Sequence, residues 1–324
     1  VKKGQDDTGS ILRCSSVRKP RRLGGKPQKK RAGPRFIGAG EMSLAENRSL
    51  GTALRSLEEL AELTKTETTI VSIESFRSMI QPNVTHVLVT DSDGAQGLGE
   101  TFYGSTAVEA HLHDVLIPTL ISERPEASPT SVAEAIQDYV GYSGSGAEVR
   151  ARSALDIALW DLAAKRAGQP LAHLLRPGSE NRISSYNTCS GNNYVNAESR
   201  QSSSNWGFRA NQEPKGDFED LWAFLNKPGK LARELLDAGF TGMKVWPFDL
   251  AAERSRGRDN TDLSFGLSVL DEIRSAVGDE IQLYVELHSL WRLTAAEKLV
   301  DELEKYNLAW IEDPIRADSI SDLA

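Results

Sequence analysis

Residues 281–316, IQLYVELHSLWRLTAAEKLVDELEKYNLAWIEDPIR, decide how the chain folds. A short run rich in strand formers (281–287) gives way to apolar residues at helical spacing (294–306), and a second short run follows at 308–312. The same rhythm extends upstream as a strand over 182–187, a helix over 229–238, a strand over 242–246 and a helix over 264–277. Strands alternating with helices in this way call for a parallel sheet, because parallel neighbours must be joined by a crossover. When such a sheet closes into a barrel, chemistry gathers at the carboxyl ends of its strands. Asn187, Lys244, Glu286, His288 and Glu312 all fall at such ends.

Further upstream the texture differs. Three short strands at hairpin distances, over 68–76, 85–90 and 97–102, read as an antiparallel meander. Helical stretches follow over 107–121, 131–139 and 148–167, so this part is an α+β unit. The last helix gathers Ala154, Leu155, Ala158, Leu159 and Leu162 on one face, and Gly168 and Pro170 end it. Asp156 and Asp161, on the same helix, are assigned to local pairing rather than to a metal.

Composition limits the function classes. The 324 residues hold 39% hydrophobics, enough to bury a core. No apolar run approaches the ~18 residues of a membrane helix. Two cysteines, Cys14 and Cys189, are too few for a disulfide scaffold, so a soluble protein of the reducing cytoplasm is expected. The net charge of −8 divides unevenly, with +10 over residues 1–40 and −18 over the rest. Residues 1–40 show no period and few large apolar groups, so disorder is expected there, with a loose helix over 43–66. Arg18, Lys19, Arg21 and Arg22 could neutralise phosphates in a nucleic-acid arm, or belong to an Arg-rich transit peptide. The preferred alternative is a solvated tail, or residues upstream of a start at Met42, because the acidic remainder would repel a polyanion.

The segment ARSALDIALWDLAAKRAGQP (151–170) resembles a signature of the mandelate racemase and muconate-lactonizing branch of the enolase superfamily. GMKVWPFD (242–249), YVELHSLW (284–291) and WIEDPIR (310–316) strengthen the resemblance, which runs from about residue 68 to the end. It implies an α+β capping domain over a (β/α) TIM-type barrel. It also implies an Mg2+-dependent reaction that begins by removing the proton alpha to a substrate carboxylate. The expected organisation is a basic extension (1–66), a capping domain (67–180) and an incomplete barrel of about four strands (181–324).

Glu286 and Glu312 lie 26 residues apart, one compact strand–helix–strand repeat. That spacing sets them at equal heights on neighbouring strands, where two oxygen ligands could share one Mg2+. The family more often has Asp at the first position. Strand alternation points His288 the same way as Glu286, and a neutral His beside a metal can take or give a proton near pH 7. Some acid-sugar dehydratases of the superfamily carry Asp-x-His there, and this chain carries Glu-x-His. Lys244 falls on the first lysine of the family's Lys-x-Lys. As a desolvated lysine near a cation it could act as a base or neutralise an enolate oxygen. Trp246 replaces the second lysine on the same face, which argues against a two-lysine mechanism. Asn187 and Trp246 are the expected substrate contacts. His86, His111, His113 and His173 are read as structural or solvated, and the long loop 188–228 as a lid.

Together these residues point to an Mg2+-dependent dehydratase (a lyase) of a sugar acid. A racemase or epimerase of the same superfamily is the alternative; an inactive fragment, or a product that binds nucleic acid through its basic head, is the reading from another class. The expected partner is a small sugar acid, the complete protein is expected to be a homo-oligomer, and neither membrane nor nucleic acid is expected to bind. A barrel of this kind needs eight strands and ~250 residues, and four strands are counted here. The third carboxylate ligand that the resemblance implies would fall one repeat past Glu312, beyond residue 324. The 324-residue polypeptide is therefore expected to be truncated at its C-terminus and to show little or no dehydratase activity. Full turnover in an assay against a panel of sugar acids would refute that expectation.

Overall fold

The computed structural model describes residues 53–137, 144, 146–179, 182–191, 206–208, 219–318 and 320–323. The disorder and phosphate-binding roles expected of residues 1–40, and most of the lid expected over 188–228, lie outside the described residues.

Helix α1 (Leu57–Thr64) opens with a reciprocal cap that the sequence carries as S-x-x-E: Ser56 accepts from the Glu59 amide while the Glu59 carboxylate accepts from the Ser56 amide. Strands β1 (Ile70–Arg77), β2 (Val84–Asp91) and β3 (Gln96–Phe102) then form the antiparallel meander, in the order β1-β2-β3. β2 alternates strictly, burying Thr85, Val87, Val89 and Asp91. The helix expected over 107–121 is α2 (Ser105–His111) and α3 (Ile117–Glu123), joined by a wider π turn over Leu112–Leu116. α4 (Pro129–Ala135) starts at Ser128, whose hydroxyl accepts from the Ser131 amide. α5 (Ala147–Arg166) buries the predicted face, Ala154, Leu155, Ala158, Leu159 and Leu162. Asp161 pairs locally with Lys165 at 2.6 Å, as expected, and its carboxylate also accepts from the Leu98 amide of β3 at 2.8 Å. A short α6 (Leu171–Leu175) follows.

The second part begins with α7 (Asp220–Asn226) and α8 (Pro228–Asp237). It continues through β4 (Gly242–Val245), α9 (Asp249–Ser255), α10 (Ser264–Val277), β5 (Gln282–Glu286), α11 (Leu293–Leu303) and β6 (Trp310–Glu312). The three strands are parallel, in the order β4-β5-β6, and each crossover is helical as the sequence rhythm required. Their core is separate from that of the first part and includes Phe224, Phe248, Leu270, Ile273, Leu283 and Leu299. The strand expected over 182–187 is corrected: only Asn187 pairs, in a single parallel bridge to Met243. Residues 182–186 are exposed, with Ile183 at 92%, so no burial holds them in a ladder. Among the described residues no helix is long and apolar enough to cross a membrane.

The closest packing in the first part is helix against strand backbone. A β-carbon on Gly99 would stand 2.0 Å from the Ala154 carbonyl oxygen, and one on Gly97 would stand 2.0 Å from that of Ala158. The glycines of β3 and the alanines of α5 thus fix how near the two elements lie. Gly99→Ala would force them apart, and overpacking of this kind typically costs about 1–3 kcal/mol. A lowered melting temperature is expected in calorimetry, and an unchanged one would show that α5 is free to shift.

Candidate active site

At the carboxyl ends of the parallel strands the backbone register sets the carboxylates side by side. Glu286 is paired with Glu312, and Tyr284, one layer below, lies between Lys244 and Trp310. The Lys244 side chain climbs from that lower layer and donates to both carboxylates, at 3.1 Å to Glu286 Oε2 and 2.8 Å to Glu312 Oε1. The remaining oxygens are also taken. Glu286 Oε1 accepts from the His288 amide at 2.9 Å, and Glu312 Oε2 from the Trp310 indole at 3.1 Å. Lys244 and Glu286 are buried, and Glu312 is half-buried.

Burial pushes the Glu286 carboxyl above its ordinary value, and the neighbouring Glu312 adds to this. Burial acts the same way on Glu312, but the bonds from Lys244 and to Glu286 outweigh it and hold that carboxyl below the ordinary range. Burial pulls the Lys244 ammonium down, yet its bonds to Glu312 and Glu286 prevail and raise it. Two carboxylates thus share the Lys244 ammonium, and with both in place the charged form is favoured.

His288 differs from the simple alternation picture. β5 ends at Glu286, and His288 and Ser289 adopt left-handed φ of 49° and 55°. The imidazole turns toward α9, where its Nδ1 lies 2.8 Å from Asp249 Oδ2. Two indoles pack on the ring, Trp206 at 4.8 Å between centroids and Trp246 at 5.8 Å. Burial disfavours the imidazolium, but Asp249 outweighs it and raises His288 above the ordinary histidine value. Burial likewise raises Asp249, against the pull of His288.

Trp246 lies one residue past β4, buried and edge-on to Phe224 at 5.2 Å. It lies one residue beyond the strand whose alternation set it on the Lys244 face, and its ring packs edge-on to His288. The Asn187 side chain is engaged within the protein: Nδ2 donates to Asp220 at 3.0 Å and Oδ1 accepts from the Cys189 amide at 2.6 Å. The structure thus brings Lys244, Glu286 and Glu312 together, sets His288 beside them, and ties Asn187 to α7.

Sequence reasoning passed over Asp249, although it closes the quoted motif GMKVWPFD. It also passed over the aromatic layer beneath the carboxylates, where Tyr284 and Trp310 stack at 3.9 Å and Tyr186 packs on both. Gly242 leaves room for that layer, since a β-carbon there would stand 2.8 Å from the Tyr284 ring.

Residues 61–176 match the family described as mandelate racemase / muconate lactonizing enzyme, N-terminal domain, and residues 228–324 match the enolase C-terminal domain-like family. The chain is 29% identical over 252 residues to the D-galactonate dehydratase family member RspA of Halomonas elongata, across 73% of this chain and 56% of that protein. It is 26% identical over 242 residues to the L-talarate/galactarate dehydratase of Salmonella typhimurium, across 72% of this chain and 49% of that one. The chain spans about half the length of these curated relatives. A solved enolase protein from environmental sequencing of the Sargasso Sea is 38% identical, with a TM-score of 0.63 over 79% of this chain and 61% of its own. That likeness supports the plan of a capping domain with a TIM-type barrel, to which the described residues contribute three parallel strands. Two matched domains and a shared fold lead to one conclusion: the chain belongs to the enolase superfamily, in its mandelate racemase/muconate lactonizing enzyme branch.

Proposed function

We propose that this protein acts in the Mg2+-dependent dehydration of a sugar acid. The observation that carries the reading is the in-register pair Glu286 and Glu312, side by side at the carboxyl ends of β5 and β6 with one ammonium between them. Mg2+ prefers hard oxygen ligands, and one or two carboxylates suffice when water and substrate complete the shell. Among the described residues no group of three or more His, Cys, Asp or Glu gathers at one point; what supports the ion is that these two carboxylates share a cation already, the Lys244 ammonium. Glu286 and Glu312 would hold the ion. When bound, it supplies Lewis acidity toward the substrate carboxylate.

The chain's own residues take the remaining roles. Lys244, kept charged, faces negative charge that develops on the substrate oxygens. His288 carries the proton. It takes the α-proton, leaving an enediolate, and returns it to the β-hydroxyl as the C–O bond breaks, so that water leaves and the enol of a 2-keto-3-deoxy acid forms. A racemase needs proton carriers on both faces of the α-carbon, and His288 is the one imidazole at the strand ends among the described residues. The relatives' names, D-galactonate and L-talarate/galactarate dehydratases, support a sugar acid as the substrate class.

Product analysis with a panel of sugar acids tests the reading: a 2-keto-3-deoxy acid supports it, and an inverted stereocentre would replace it with racemisation. Glu312→Gln should weaken Mg2+ binding at least about tenfold, since even residues that only support metal ligands cost that much. Titration calorimetry showing unchanged affinity would remove Glu312 from the metal site, and Glu286→Gln should behave alike. His288→Asn should keep Mg2+ affinity and lose turnover by ~10²–10⁴-fold. Survival of both turnover and solvent-deuterium exchange at the α-carbon would make His288 structural.

A further inference from the structure

We propose that Asp249 is the positioning residue of this site: it holds His288 as the Nδ1–H tautomer and leaves Nε2 as the nitrogen that meets the substrate. This role rests on the reading of His288 as the proton carrier. Asp249 is the first residue of α9, buried at 6% exposure, yet its carboxylate caps no backbone amide. Among the described residues its one hydrogen bond runs from Oδ2 to His288 Nδ1, and Oδ1 is buried with no partner. A buried carboxylate with a single bond is costly to keep, so its presence is not explained by the stability of α9.

The pairing fixes the chemistry of the ring. An ionised carboxylate only accepts, so Nδ1 must be the donor, and Nε2 then carries the lone pair. Nε2 has no hydrogen bond to the described residues, and the His288 side chain keeps 18% of its surface open. Trp206 and Trp246 limit ring tilt, at interplanar angles of 59° and 77°. Stacking alone leaves a half-turn of the imidazole open, and the bond to Asp249 selects one of the two orientations. Proton transfer at one defined atom requires both the orientation and the tautomer, as in the general logic of a buried acid behind a catalytic histidine.

The test is spectroscopic and needs no turnover. Proton–nitrogen correlation spectra of protein with isotope-labelled histidines resolve the tautomer of each of the five, and His288→Asn identifies the signal. In the unmutated protein the neutral ring of His288 should be Nδ1–H. Asp249→Ala should revert it to the Nε2–H form that free imidazole prefers, and Asp249→Glu should restore Nδ1–H. An Nε2–H ring in the unmutated protein would overturn the proposal, since a protonated Asp249 donating to Nδ1 would impose that form. An unaltered tautomer in Asp249→Ala would overturn it as well. The first measurement stands even if the variant fails to fold. In the same variant kcat should fall by ~10²–10⁴-fold with KM little changed. A product with an inverted stereocentre from protein that shows the Nδ1–H ring would instead overturn the proposed function and leave the role of Asp249 in place.

Discussion

One ammonium between two carboxylates governs the carboxyl end of the parallel sheet. Parallel pairing of β5 with β6 forces Glu286 and Glu312 into the same layer, where two partly desolvated like charges repel. Lys244 answers both at once, from a strand on the far side of Glu286. The cost of breaking such a buried pair is roughly 3–5 kcal/mol, because the partner charge is left uncompensated. The same geometry decides the chemistry, since a lysine held by two carboxylates stays protonated. A charged lysine so placed can stabilise negative charge.

What the sequence disclosed here is what local periodicity encodes. The strand–helix–strand rhythm of 281–312 fixed a parallel register, and the 26-residue spacing of Glu286 and Glu312 put them directly opposite each other. The apolar face of α5 was equally plain, because every third or fourth residue is alanine or leucine and glycine ends the run. Both features depend on repeats shorter than one supersecondary unit, which is the scale on which pattern and fold agree.

The misreadings share a different cause. Strand alternation was carried past strand ends, to Trp246 one residue beyond β4 and to His288 two residues beyond β5, where His288 itself takes a left-handed φ. Residues 182–186 have the composition of a strand but join no ladder among the described residues, since a strand is completed by neighbours that no local run of residues can report. Asp249 meets His288 across 39 positions, and Asn187 meets Asp220 across 33, so neither partnership leaves a spacing signal. Side-chain partners of that kind are set by how crossovers bring loop ends together. They become legible only once the register is known.

The charge balance of the site also bears on how an acidic substrate could enter it. With both carboxylates ionised, Lys244, Glu286 and Glu312 together carry one net negative charge, on a chain that is itself at −8. A sugar-acid carboxylate approaching that trio is repelled, and repulsion is strongest where the site excludes water. A divalent cation reverses the sign. On the proposed reading, the ion is thus needed for the substrate to bind as well as for the chemistry that follows, and Lys244 alone cannot replace it. The His288–Asp249 pair forms a second charged cluster beside this one, with Trp246 and Trp206 packed on the imidazole. On the proposed reading, holding an anion and moving a proton fall to these two neighbouring clusters. The backbone amide of His288 on the Glu286 carboxylate joins the two, so a change in the charge at Glu286 is felt directly by the segment that presents the imidazole.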